Sequence, residues 1–129
     1  MTKQLRAYLR LLAGLIMISC LGQLAFPARV AAASAWGNAP GWQREIGFWN
    51  VAMYIAIART LRANDAAGGR TVAIALVVLQ LLAATNHAAA AIQSQTQLNT
   101  IMSLVNYGCV VFGMLALRAS AAGRTQLAR

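Results

Sequence analysis

The sequence predicts an all-α integral membrane protein: a compact four-helix transmembrane bundle with short loops and both termini in the cytoplasm. Three observations carry that prediction. Of 129 residues, 60% are hydrophobic and only 10% charged, whereas a soluble domain of this length usually carries about a quarter charged residues. The few charges gather between long uncharged stretches. The eleven basic residues, set against two acids, fall mostly on one side of the proposed membrane.

The first expected helix covers about residues 8–27. No charge occurs between Arg10 and Arg29, and the apolar run 11–26 ends at Pro27. That run is at the lower end of what crosses roughly 30 Å of hydrocarbon, so Tyr8 and Leu9 extend it inward. The second helix is expected over 42–62. Residues 46–58 alone, between Glu45 and Arg59, would span only about 20 Å at 1.5 Å per residue. The longer segment places Glu45 near one boundary and lets Arg59 and Arg62 snorkel toward the opposite headgroups.

The third helix, 71–92, has no formal charge at neutral pH and is the clearest span. The fourth, 98–118, is apolar but diluted by Asn99, Ser103 and Asn106 before it ends at Arg118, leaving 119–129 as a short basic tail. Pro40-Gly41 and Gly68-Gly69 read as turn punctuation, and 93–97 as a polar bridge. Short connections make consecutive helices antiparallel neighbours, which is bundle topology.

Orientation follows from the retention of Lys and Arg on the cytoplasmic side. Lys3, Arg6, Arg10, Arg59, Arg62, Arg70, Arg118, Arg124 and Arg129 fall on one side, and only Arg29 and Arg44 on the other. Trp36, Trp42 and Trp49 then lie on or near the outer half, where an indole is favoured at headgroup level. The pattern resembles small four-helix proteins of the bacterial inner membrane, which implies that location. The first segment also has the parts of a secretory signal, with small residues at 31–35 before Trp36; cleavage there would leave three helices in the same orientation.

Polar residues inside a span are candidates for function because exposing them to lipid is costly. Glu45, Asn50, Asn86, His87, Asn106 and Tyr107 all map to the outer half of the bundle and are expected to approach one another. In one reading Glu45 and His87 form a proton-linked or headgroup site. In the other, Asn50, Asn86, His87 and Asn106 fasten helices together while Glu45 neutralises Arg44 at the surface. No metal site or cofactor is predicted, because a lone histidine lacks the further protein ligands that most metal and haem sites need. Cys20 and Cys109, both near mid-membrane, read as inert small residues.

Alanine is the commonest residue, at 28 of 129. The pairs Ala52 and Ala56, Ala84 and Ala88, and Cys109 and Gly113 each place small side chains one turn apart, where helices can approach closely. The net charge of +9 suits anionic phospholipids at the cytoplasmic face. No nucleic-acid partner is expected, since no segment outside the membrane is large enough to place a recognition helix in a groove.

No catalytic motif occurs: there is no nucleophile elbow, phosphate loop or paired carboxylates. Three function classes fit what is left. The first is a small accessory, assembly or stabilising subunit of a larger membrane complex, with room for a lipid or quinone at the interface. The second is a homo-oligomeric transporter or channel, in which the chain pairs with itself and a polar path runs near His87. The third is a histidine-ligated membrane redox or cofactor-binding protein.

Overall fold

Thr2 opens the first helix, its hydroxyl accepting from the Leu5 amide at 3.3 Å, as an N-cap side chain satisfies one of the unpaired donors of a first turn. The computed structural model describes residues 1–35 and 39–127, with side-chain surroundings up to residue 122. Five helices follow in order: α1 Lys3–Ala25, α2 Pro27–Ala33, α3 Pro40–Ala63, α4 Ala66–Ser94 and α5 Gln97–Leu127. No strand occurs among the described residues. Trp36, expected in the aromatic belt, lies outside them.

Proline and capping residues set the breaks. Pro27 lacks an N–H and disfavours helical geometry in the residue before it, so α1 stops at Phe26 and α2 begins on the proline itself. The short α2 had no counterpart in the expected elements. Pro40 starts α3 in the same way. The turn between α3 and α4 is made by Asn64, left-handed at φ 50°, and by Asp65, whose carboxylate accepts from the Ala67 amide at 2.9 Å. Gly68 and Gly69 therefore sit inside α4 and do not form the turn, because Asp65 has already capped the helix ahead of them. Gln95, left-handed at φ 53°, closes α4, so the expected polar bridge 93–97 contracts to Gln95 and Thr96. The helix α5 runs on to Leu127, through most of the segment expected as a tail.

Among the described residues, three helical segments are long and apolar enough to cross a membrane: Lys3–Ala25, Ala66–Ser94 and Gln97–Ala122. The shortest has 23 residues, about 35 Å of helix against roughly 30 Å of hydrocarbon. Although α3 is 24 residues long, Arg44, Glu45, Arg59 and Arg62 lower its apolar character, and it is not one of the three.

The helices pack as two antiparallel pairs, α1 with α3 and α4 with α5, joined chiefly by α1 lying against α5. Residues Leu5, Leu9, Leu12, Ile16 and Cys20 make a buried stripe along α1, recurring every three or four residues as one helix face does. Its first part forms the core with Tyr8, Ile57, Ala73, Leu76, Cys109 and Ala116. That core lies toward the end of the bundle where α1 starts and α5 finishes. Gly113 permits the closest approach there: a Cβ on it would lie 2.5 Å from Val77 Cγ2 and 2.7 Å from Tyr8 Cζ. The Tyr8 ring meets Phe112 edge to face at 5.8 Å between centroids, a favoured aromatic geometry.

Candidate functional site: polar seams between paired helices

Toward the far end from the core, each helix pair carries its own polar seam. The α4/α5 seam is built on Asn99, which is fully buried near the start of α5. Its amide nitrogen donates to Thr96 Oγ1 at 2.7 Å, and its carbonyl oxygen faces His87 Nδ1 at 3.1 Å. A carbonyl oxygen only accepts, so His87 donates from Nδ1. One turn further along α5, the buried Ser103 hydroxyl donates to the Ala84 carbonyl at 3.2 Å. The fully buried Ala84 leaves that carbonyl approachable, as small residues do at close helix contacts. Tyr107 and Thr85 place their hydroxyls 3.5 Å apart across the same seam, and nearer the core Arg70 donates to the Leu117 carbonyl at 3.2 Å.

The α1/α3 seam is separate. Asn50 donates to Ser19 Oγ at 3.0 Å, and at the opposite end, beside the core, Arg6 donates to Asn64 Oδ1 at 2.6 Å. Beyond the Asn50–Ser19 bond, further from the core, the helices touch at Gly47, where a Cβ would fall 2.5 Å from Leu24 Cδ2. Gln43, one turn before Gly47, is only 3% exposed. Its Oε1 and that of Gln23 are buried without a hydrogen-bond partner among the described residues.

The six polar residues singled out in the sequence therefore divide between two helix pairs. Asn50 belongs to the α1/α3 seam, while His87 and Tyr107 belong to the α4/α5 seam. Asn106 is half-buried on α5 and Asn86 is exposed on α4. Glu45 is exposed on α3, in a shallow hollow with Phe48, Trp49 and Ala52.

The close-packing positions divide as well. Ala84, Cys109 and Gly113 are buried, Ala56 and Ala88 half-buried, and Ala52 exposed. Both cysteines are free and buried; Cys109 is in the core cluster and Cys20 outside it. Among the described residues no group of three or more His, Cys, Asp or Glu side chains is placed to hold a metal ion.

Asn99, Ser103, Ser19 and Gln43 complete the seams and were not among the expected site residues. A signal for two of them exists in the sequence: Asn99 and Ser103 are four apart and share one helix face. Ser19 and Gln43 gain their roles only from the pairing of α1 with α3.

Among the described residues these features define an all-helical protein with three helices long and apolar enough to span a membrane. No family model matches the chain, and no curated protein or solved structure matches it either.

Proposed function

We propose that the chain is a four-crossing bundle of the bacterial inner membrane with both termini in the cytoplasm. In this reading it acts as a small accessory, assembly or stabilising subunit of a larger membrane complex. The fourth crossing is α3. Its 24 residues give about 36 Å of helix, and Arg59 and Arg62 near one end can snorkel out of the hydrocarbon.

The observation that carries the reading is the engagement of polar side chains inside the spans. Asn50, His87, Asn99 and Ser103 each hydrogen-bond across a helix pair. Such bonds between membrane helices hold a bundle together. A protein whose polar groups are engaged in this way acts through its outer faces, where Ile18, Leu82, Ile92 and Leu104 are well exposed. A lipid or quinone held between such a face and a partner subunit belongs to the same reading.

Two experiments test it. Single cysteines placed before α3, and between α3 and α4, in a chain with Cys20 and Cys109 replaced, should label from opposite sides of the membrane; labelling from one side removes the fourth crossing. Purification in mild detergent at native expression should yield a stoichiometric, unrelated membrane protein with the chain. A discrete homo-oligomer and nothing else would overturn the accessory role.

A further inference from the structure

Only two acids stand against eleven basic residues in this chain, and they are used differently. Asp65 caps α4. Glu45 is exposed and has no ion pair or hydrogen bond to any described residue. An unpaired carboxylate at the edge of a hydrocarbon layer is costly unless a cation meets it.

Its surroundings are specific. Glu45, Phe48, Trp49 and Ala52 line one hollow, and the spacing of three, four and seven residues puts them on a single face of α3. That face points away from α1, since Gln43, Gly47 and Asn50 occupy the side that packs on it. Both Phe48 and Trp49 are exposed. A carboxylate between exposed aromatic rings is a receptor for an ammonium group, through ion pairing and attraction to the ring faces. Further along the helix, Ala52 and Ile55 continue the exposed face as an apolar track. Arg44, beside Glu45, supplies an exposed cation.

We infer that this face of α3 binds one phospholipid with a zwitterionic, ammonium-bearing headgroup. The ammonium sits on Glu45 between Phe48 and Trp49, the phosphate is met by Arg44, and an acyl chain follows Ala52 and Ile55. Charge complementarity selects the lipid: an anionic headgroup without an ammonium would face the Glu45 carboxylate unmatched. The inference rests on α3 lying in the membrane with its Glu45 end at headgroup level. The cysteine-labelling experiment reads that crossing whatever lipid is bound, so failure of the topology and failure of the lipid site are distinguishable.

The test is native mass spectrometry of the full chain released from micelles containing equal amounts of phosphatidylethanolamine, phosphatidylcholine and phosphatidylglycerol. The basic end of the chain retains phosphatidylglycerol alike in wild type and variants, so the preference is read as the ratio of the two ammonium lipids to phosphatidylglycerol, compared between wild type and each variant. Glu45→Gln should reduce that preference about fivefold, the scale of one exposed ion pair with an aromatic contribution, and Trp49→Leu should reduce it independently. Both positions are exposed, and circular dichroism checks that each variant keeps its helices; if one variant fails to fold, the other decides. An unchanged ratio in a folded variant overturns the site. A co-purifying protein lost on Glu45→Gln without any lipid preference also overturns it, since the carboxylate would then serve a protein cation.

Discussion

Asn99, buried at the start of α5, holds the His87 ring of α4 through a 3.1 Å hydrogen bond while itself being fixed by Thr96. The loop between the two helices is therefore tied to α4 by a side-chain chain, Thr96 to Asn99 to His87. Removing its middle member leaves the Nδ1 donor of His87 without that acceptor. Asn99→Leu should lower the stability of the folded protein in detergent by about 1–2 kcal/mol, the scale of interhelical hydrogen bonds in membrane bundles. Thermal unfolding measures this, and Asn86→Leu, on the exposed side of the same helix pair, should have a much smaller effect.

At Gly113, α5 lies tightly against both α4 and α1. A methyl group there would clash with Val77 and Tyr8, so Gly113→Ala should destabilise by about 1–3 kcal/mol, as overpacked contacts do. Val77→Ala in the same chain should recover part of the loss. Gly108 has nothing within 4 Å of its Cβ position, and Gly108→Ala should be neutral or slightly stabilising because alanine is the better helix former. Equal losses at the two glycines would contradict the close packing of Gly113 against Val77 and Tyr8.

The turn between α3 and α4 depends on the Asp65 cap. Asp65→Ala should cost about 1 kcal/mol, whereas Asp65→Asn, which keeps an accepting oxygen, should retain most of the stability. Asn64→Ala should cost more than an ordinary surface change, because it loses both the residue type suited to φ 50° and the acceptor for Arg6. Chemical or thermal unfolding of the three variants checks the order.

Pairing of α1 with α3 is testable by cross-linking. In a chain with Cys20 and Cys109 replaced by alanine, Ser19→Cys combined with Asn50→Cys should form a disulfide under mild oxidation, because the two side chains are in hydrogen-bond contact at 3.0 Å. Ser19→Cys combined with His87→Cys should not, since His87 belongs to the other pair. Gel mobility before and after reduction reads the outcome.

The helices themselves were legible in the sequence because their signals are local. Long uncharged runs, Pro27 and Pro40 mark where α1, α4 and α5 stretch and where α1 and α3 are delimited. The partners of the polar residues were not legible. Glu45, Asn50 and His87 lie toward the same end of the bundle, and depth alone suggested one cluster. Depth says nothing of rotation about the helix axis, and rotation turned Glu45 outward while Asn50 faced α1 and His87 faced α5. The Gly68-Gly69 pair misplaced a turn for a related reason: glycine marks flexibility, but Asn64 and Asp65 had the side chains that stop one helix and start the next.

By itself the sequence determined the helical, membrane-type character of the chain, its approximate segments and the lopsided charge, because hydropathy and charge act residue by residue along the chain. Only the tertiary structure decided that the helices form two pairs, that Asn99 and not Glu45 meets His87, and that Gly113 and Gly47 are the close contacts. Those outcomes depend on which small side chains let two particular helix surfaces approach, and steric fit of that kind exists only once the helices are side by side.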